Sequence, residues 1–378
     1  MGQFPLLNRR IVWLFFLFSL ILLGFCATRY LPLRVLLPIP CTATEIELSQ
    51  NEAFQLFNGI FRFRNNAICR YELAALATLY DRSTLYGSWA YEHQAKKVKY
   101  LRQWCNKQGV RLITIESLIR LNKVTPRGNI LRVTLLASTE YKYSYYNEPD
   151  RINLMRLGSY HSLDLIRTDE TWKIVREWYT DPFADSLRMD EAQVGVNQAY
   201  ILQQKPRDFT NLHPRRLAAV AYADEFCGAA NDAEKGFKYN TAYKNYNYSG
   251  GDCTNFASQI LHEGGGLPKT ALWNYGKDGS PSWVNARAFN NYMLNSGRAT
   301  RLCYGAYDQV LKASYQLLPG DYIAYEKKGK VSHISVVTGA DSKGYTLVNS
   351  HNADRYRVPW DLGWSDRGIK FHLVRVHY

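Results

Sequence analysis

The hydrophobic pattern of the chain begins with a largely apolar stretch, residues 11–28, which follows Arg9 and Arg10 and precedes Arg29. Its length suits a short membrane helix or the apolar core of a signal peptide. Because two arginines lie on its N-terminal side, we expect an uncleaved single-pass anchor that leaves residues 1–10 in the cytoplasm. The bulk of the chain is then extracytoplasmic, and it would be secreted if the stretch were cleaved.

The spacing of apolar residues changes from helical to alternating along the next part of the chain. After a proline-containing linker at residues 29–41, apolar positions recur every three or four residues until about Cys105, which predicts helices. The β-branched, alternating residues that follow predict four antiparallel strands. The expected helical core positions are Phe54, Phe57, Ile60, Phe61, Leu73, Leu76 and Leu79, and the expected strands are 111–119, 130–145, 157–167 and 171–179. This order predicts an α+β domain over residues 42–182.

The second half of the chain predicts a further α+β domain at residues 212–378, behind a polar linker at residues 183–211. Its first helix, over 212–229, is expected to bury Leu217, Val220, Ala221 and Phe226. Another helix, from Cys253 to Glu263, ends at a run of glycines that favours a helix C-terminus. Strands are expected at 321–326, 331–340, 344–350 and 369–377.

The composition is that of a folded protein with a basic balance. Of 378 residues, 46% are hydrophobic and 21% are charged, so most of the chain can bury a core. The formal net charge of +14 favours a polyanionic partner, such as an anionic cell-wall polymer or a membrane surface. The lysines and arginines form no long run and no RNA-binding signature, so nucleic acid is not expected as a partner.

The seven cysteines include no Cys-x-x-Cys pair and define no disulfide framework. Because their number is odd, at least one stays unpaired, which is consistent with a working thiol. A zinc site built from His333, His351 and Asp354 is an alternative, but no tightly spaced ligand pair supports it. We therefore expect no metal and no cofactor. His161 is alone in its predicted strand, and we expect it to be packed or solvated.

Cys253 is the strongest candidate for chemistry because it follows a glycine-rich bend and begins a predicted helix. A thiol there meets the amide end of the helix dipole, which favours the nucleophilic thiolate. The backbone N–H of Cys253 can also donate to a developing oxyanion. Asp252 can cap the helix, and Asn255 and Gln259 share one helix face, so we expect supporting roles for these three residues.

His333 lies in an apolar predicted strand and can act as the base that takes the thiol proton. A third group must then fix the ring tautomer through the other nitrogen. Asn349 and His351 lie two residues apart on the returning strand, so both side chains point to one face of it. Either residue can therefore serve as the third member.

The ordered motifs of the second half resemble the bacterial amidase domain of the CHAP and NlpC cysteine-hydrolase clan. The segments that carry the resemblance are 251–259, 264–265, Trp273, Trp283, 320–323, 332–334 and 349–354. The resemblance covers roughly residues 212–378. It implies a papain-like α+β fold and cleavage of amide bonds in peptidoglycan. Since CHAP enzymes carry an acid or amide where Asn349 stands, Asn349 is preferred as third member. His351 is the alternative, because NlpC relatives use a histidine.

The middle of the chain, residues 42–182, resembles the cone-shaped fold of nuclear transport factor two and its relatives. The resemblance rests on the element order and on a closing strand with Trp172 and Trp178. It implies a curved antiparallel sheet, and we expect a spacer or binding role for this domain.

A set of aromatic residues in the second half has two interpretations. The set either stacks on sugar rings in a substrate groove or packs beneath the loops that carry it. Its members are Tyr239, Tyr243, Tyr246, Tyr248, Trp273, Tyr275 and Trp283.

The whole sequence predicts a membrane-anchored cysteine amidase or endopeptidase that hydrolyses peptidoglycan peptides through Cys253, His333 and Asn349. Two alternatives stay open. One is a non-catalytic wall-binding module with a hydrolase-like fold, against which the complete set of three residues argues. The other is an acyltransferase, in which an amine replaces water as the acceptor.

Overall fold

The structure, a computed structural model, describes most of the chain after the predicted anchor. The described residues are 48–168, 171–183, 194–232, 236–247, 249–364 and 368–378, and all of them belong to one compact unit, Thr44–Tyr378. The predicted anchor and its linker lie outside these residues. No helix of the described part is long and apolar enough to cross a membrane.

Nine α-helices are present in the described residues. They are α1 (Gln50–Cys69), α2 (Leu73–Ala77), α3 (Leu85–Gln108), α4 (Val194–Leu202), α5 (Pro214–Glu225), α6 (Cys253–Gln259), α7 (Pro281–Val284), α8 (Ala286–Asn295) and α9 (Tyr307–Ser314). A short π-helix, Ile260–Gly264, continues α6 and ends before Gly265. The predicted helix from Cys253 is therefore present, and its last turn is wider than an α-helical turn.

Ten strands of the described residues form one antiparallel sheet. They are β1 (Val110–Arg127), β2 (Ile130–Tyr145), β3 (Glu148–Thr168), β4 (Thr171–Tyr179), β5 (Ala299–Gly305), β6 (Tyr322–Lys327), β7 (Lys330–Ala340), β8 (Thr346–Ser350), β9 (Asp354–Pro359) and β10 (Ile369–Val376). Their order is β1-β2-β3-β9-β8-β7-β6-β10-β5, and β4 pairs with β3. The expected α+β class with a large antiparallel sheet is confirmed, whereas β5 and β9 were not expected.

A seam between β3 and β9 joins the middle region to the second half. Gly158 of β3 pairs with Asp354 of β9, and Leu157 pairs with Arg355. A Cβ atom on Gly158 would overlap the backbone of Ala229, so only glycine permits this close approach. The predicted boundary between the two halves is therefore not a break in the sheet.

The face of helix α1 that packs against the sheet contains both apolar and polar residues. A capping box between Ser49 and Glu52 begins it. The predicted core position Phe54 is 37% exposed, whereas Arg64 is buried. The reason is that the Arg64 guanidinium donates to Glu177 of β4 over 2.7 Å, so its charge is paired inside the protein. Among the other predicted core positions of these helices, Leu73 is also exposed, at 42%.

Helix α5 buries a different face from the predicted one. Leu217 is 49% exposed, while Arg216 and Asp224 are buried together with two alanines. Arg216 donates to Asp321 over 2.8 Å, and Asp224 accepts from the Arg357 side chain over 2.7 Å. Paired charges therefore override the apolar pattern of this helix.

Candidate active site

Cys253 is the first residue of α6 and follows a strained glycine bend. Gly250 and Gly251 have φ angles of 105° and 119°, which L side chains rarely adopt. A Cβ atom on Gly251 would also overlap the side chain of Asn352. The bend therefore requires glycine, and it delivers the Cys253 thiol to the start of the helix with 6% of the residue exposed.

The surroundings of Cys253 favour the protonated thiol. Burial raises the pKa of the thiol above its ordinary value, and the Asp252 carboxylate adds to this effect. The backbone N–H of Ile334 and the Thr254 hydroxyl, 3.6 Å from the sulfur, act in the opposite direction but do not reverse it. The position at the helix start was expected to favour the thiolate, but burial outweighs this effect.

His333 lies in β7, next in the chain to the amide that faces the Cys253 thiol. Its ring packs against Tyr325 and Trp364, with centroid separations of 5.4 Å and 4.9 Å. Burial holds the pKa of His333 well below its usual range, and the Arg355 guanidinium lowers it further. Its Nε2 atom has no hydrogen-bond partner in the described part of the chain. A neutral imidazole with a free nitrogen can accept a proton.

Asn349 does not contact His333 through any hydrogen bond of the described residues. Its Oδ1 accepts from the Thr338 hydroxyl over 2.8 Å and from the Arg357 backbone over 2.7 Å. Its Nδ2 donates to Ala223 O and to Asp224 Oδ1, each over 3.0 Å. These four bonds use the capacity of the amide and tie β8 to α5.

His351 contacts the glycine bend instead of His333. Its Nδ1 lies 2.6 Å from Asp252 Oδ2, its Nε2 lies 2.9 Å from Phe226 O, and its ring stacks on Phe256 at 3.8 Å. Burial opposes the charged form, but Asp354 and Asp252 overcome it and raise the pKa of His351. His351 therefore fixes the residue before the thiol.

The three predicted supporting residues form a hydrogen-bond network around α6. Asp252 occupies the N-cap position without a capping bond, and it accepts from the Asn255 amide over 2.8 Å. Asn255 Oδ1 accepts from the Trp283 indole over 3.0 Å, and Gln259 accepts from the Tyr222 hydroxyl over 2.9 Å. These contacts hold the helix that carries Cys253 in place.

Asn352 and Trp364 are site residues that the sequence reasoning did not select. Asn352 Oδ1 accepts from the backbone N–H of Asp252 over 3.3 Å, and Asn352 has a left-handed φ of 67°. Trp364 packs on the ring of His333. Asn352 lies inside the motif that carries the family resemblance, so its sequence position was a usable signal, whereas the contact of Trp364 depends on tertiary structure.

His161 is packed inside the protein, as one of the two expected alternatives, and it belongs to a buried hydrogen-bond network. Its Nε2 lies 2.7 Å from Ser159 Oγ, and its Nδ1 lies 3.0 Å from Glu177, which also pairs with Arg64. Burial lowers the pKa of His161 to about 4. Arg64 and Lys97 also lower it, whereas Glu177 raises it. Because both ring nitrogens of His161 already have hydrogen-bond partners, we assign the network a structural role.

Most of the predicted aromatic set packs beneath loops. Trp273 and Trp283 are fully buried, with ring centroids 4.8 Å apart, and Tyr243 and Tyr246 are also buried. Tyr239 differs because it lines a cavity. Tyr248 lies outside the described residues. The interpretation of packing therefore holds for the buried members.

The chain is similar in sequence to two proteins that are described as uncharacterized. The chain is 33% identical over 173 residues to the uncharacterized protein YhbB of Bacillus subtilis (strain 168), which covers 42% of this chain and 50% of that protein. It is 30% identical over 170 residues to the uncharacterized protein YjcM of the same strain, covering 42% and 36%. The chain thus spans half or less of the length of these relatives.

Two solved structures share limited similarity with the chain. One is the intermembrane space region of the chloroplast protein ARC6, with 12% identity, a TM-score of 0.26 and coverage of 35% of this chain and 98% of that one. The other is an NTF2-like protein of unknown function from Pseudomonas putida KT2440, with 11% identity, a TM-score of 0.20 and coverage of 44% and 100%. TM-scores this low support no argument about the fold.

A family model matches the second half of the chain. The family is described as "putative amidase domain", and the match covers residues 213–374. This range contains Cys253, His333 and the residues that hold them. The match supports an amidase domain in this part of the chain, and with it the hydrolysis of amide bonds.

Proposed function

We propose that this protein is a cysteine amidase that hydrolyses amide bonds through Cys253 and His333. The observation that carries the proposal is the position of the Cys253 thiol at the start of α6, against the backbone N–H of Ile334. His333 is the residue before Ile334 on β7, and it has a neutral ring and a free Nε2. The match to an amidase family over the same residues supports the reaction class.

The reaction begins from a neutral thiol and a neutral imidazole. His333 Nε2 takes the thiol proton as the sulfur attacks the substrate carbonyl, and the backbone N–H of Cys253 donates to the oxyanion. The C–N bond then breaks, and the imidazolium gives its proton to the leaving amine. Water attacks the resulting thioester while His333 takes a proton from it, and the Cys253 sulfur leaves as the thiol is restored.

Packing is proposed to orient the His333 ring. Tyr325 and Trp364 lie against the ring. Among the described residues, no hydrogen bond joins His333 to Asn349 or to His351. Asn349 stays a predicted third member, and it would act by holding β8 beside β7. His351 would act on the nucleophile side, by fixing Asp252.

The proposed substrate is peptidoglycan, and the proposed location is the outer face of the bacterial membrane. The apolar stretch at residues 11–28 and its preceding arginines support a single-pass anchor. The net charge of +14 suits an anionic cell-wall polymer.

Mass spectrometry of purified peptidoglycan after incubation with the full chain tests this proposal. We expect new peptide fragments with the wild type, none with Cys253→Ala, and unchanged fragments with the matched control Cys303→Ala, whose thiol is partly exposed on β5. Their masses would name the bond that is cleaved. Fragments that persist with Cys253→Ala would contradict the mechanism.

A further inference from the structure

Two cavities meet at Trp178 on the middle region of the chain. One, of about 260 Å³, lies between the middle region and the second half, and Trp178 and Asp181 line it together with Asn352. The other, of about 350 Å³, is lined by Tyr86 and Trp89 and shares Trp178 and Asp181 with the first. We call the two connected cavities the aromatic groove.

The aromatic side chains of this groove are exposed. Trp178 is 58% exposed, Tyr86 is 56% exposed and Trp89 is 55% exposed. Tyr86 and Trp89 pack edge to face at 5.6 Å, and Tyr160 and Trp178 do so at 6.3 Å. Large aromatic rings exposed side by side on a folded surface indicate a binding site.

Apart from its aromatic rings, the groove has few aliphatic lining residues. Leu136 is the only branched aliphatic residue among the described residues that line either cavity. A groove for an apolar helix or a lipid tail would need several such residues. The composition fits a ligand that has flat apolar faces and many hydrogen-bonding groups.

Two of the acids that line the groove, Asp181 and Glu177, have partners inside the protein. Asp181 pairs with His93, and Lys97 also lowers the pKa of Asp181. Glu177 pairs with Arg64. A strongly charged ligand therefore finds no unpaired countercharge among these acids.

Two polar atoms of the groove residues have no hydrogen-bond partner in the described part of the chain. They are Asn247 Oδ1 in the first cavity and the Tyr179 hydroxyl in the second, and Tyr179 is 8% exposed. The protein encloses both atoms, so a bound water, and not a ligand in the groove, can serve as their partner.

Asn352 connects the groove to the candidate nucleophile. It lines the first cavity, lies against Gly251 and accepts the backbone N–H of Asp252. The residue after Asp252 is Cys253. A ligand in the groove therefore lies beside the bend that carries the thiol.

We propose that the aromatic groove binds a neutral oligosaccharide chain, the sugar strand that carries the peptide substrate. The aromatic rings stack on the apolar faces of the sugar rings. The choice of sugar strand rests on the proposed function. The middle region then supplies a substrate subsite and has more than a spacer role.

Calorimetric titration of the full chain with a β-1,4-linked N-acetylglucosamine tetramer tests the groove. The parent protein carries Cys253→Ala, so that binding is measured without turnover. We expect Trp178→Ala and Trp89→Ala each to weaken binding at least tenfold, because each removes a stacking ring. The matched control Tyr146→Ala, 52% exposed and outside both cavities, should bind as the parent does. Unchanged binding in both tryptophan variants, or no binding by the parent, would overturn the proposal.

Turnover measurements separate this proposal from the proposed function. In the protein with Cys253 intact, Trp178→Ala should slow hydrolysis of glycan-linked peptide at least tenfold and leave hydrolysis of free peptide unchanged. Equal slowing of both substrates would contradict a glycan subsite. If the wild type binds the tetramer but hydrolyses neither substrate, the proposed function fails while the groove stands.

Discussion

Cys253 and His333 show how one buried environment sets the protonation of both members of the proposed catalytic pair. Burial raises the pKa of the thiol and lowers that of the imidazole, so both groups are neutral near pH 7. The pair differs in this respect from a resting thiolate–imidazolium pair. Proton transfer must then accompany attack on the substrate, which requires the neutral form of His333.

The pH dependence of kcat/KM tests this protonation state. His333 works as a base only while it is neutral, and its folded pKa lies well below 6.5. Activity should therefore persist as the pH falls through 6.5 and should be lost only at lower pH. The measurement is a kcat/KM profile of the free enzyme. An acidic limb at or above pH 6.5 would contradict the assigned environment of His333.

Local patterns along the chain predict the strands that alternate and miss the strands whose charges are buried. Strand β2 lies at Ile130–Tyr145, where the β-branched alternation predicted it. Strand β9 has two arginines and an aspartate in six residues, so its sequence resembles a loop. Arg355 is nevertheless buried because it donates to Leu362 O over 2.7 Å and to Pro182 O over 3.0 Å. Pro182 lies far away in sequence, so local spacing does not reveal this partner.

In the candidate site, too, local patterns predicted some features, while others depend on tertiary contacts. Cys253 and His333 were predicted because a glycine bend before a helix and an apolar strand are local signals. The contact of His351 with Asp252 and the position of Asn349 in the network of α5 depend on tertiary packing. The sequence predicted that both residues share one strand face, but β8 ends at Ser350 and His351 lies in the turn that follows, and local spacing could not identify the partners of either residue.

Gly158 provides a test of the seam between β3 and β9. A methyl group at this position would overlap the backbone of Ala229, so Gly158→Ala should lower the free energy of unfolding by about 1–3 kcal/mol. Urea-induced unfolding measures the change. The strand-matched control Gly339→Ala, with no atom within 4 Å of the new Cβ, should change it by less than about 0.5 kcal/mol. Equal effects of both substitutions would argue against a tight seam.

At the scale of the whole molecule, the two halves share one sheet and one of two hydrophobic clusters, while the other cluster belongs to the second half alone. The Tyr145 hydroxyl of the middle region donates to Asp341 of the second half over 2.6 Å, and Lys107 pairs with the buried Asp361. One hydrophobic cluster contains both Trp104 and Trp360. The second half therefore depends on the middle region for partners of its buried carboxylates Asp341 and Asp361.

A fragment of residues 212–378 should not fold by itself. It would leave Asp361 without Lys107 and would expose the edge of β9 that pairs with β3. Circular dichroism during urea titration should show no cooperative transition for this fragment and a cooperative one for residues 48–378. A cooperative transition in the short fragment would contradict the dependence on the middle region.

The most direct test of the account is the identity of the residue that becomes acylated during turnover. Wild-type protein is quenched with acid while it hydrolyses peptidoglycan, digested, and analysed by mass spectrometry for peptides that carry the acyl part of the substrate. The account predicts the added mass on Cys253, and none when Cys253→Ala is treated in the same way. An acyl group on another residue, such as Ser159 beside His161, or turnover without any acylation of Cys253, would contradict it.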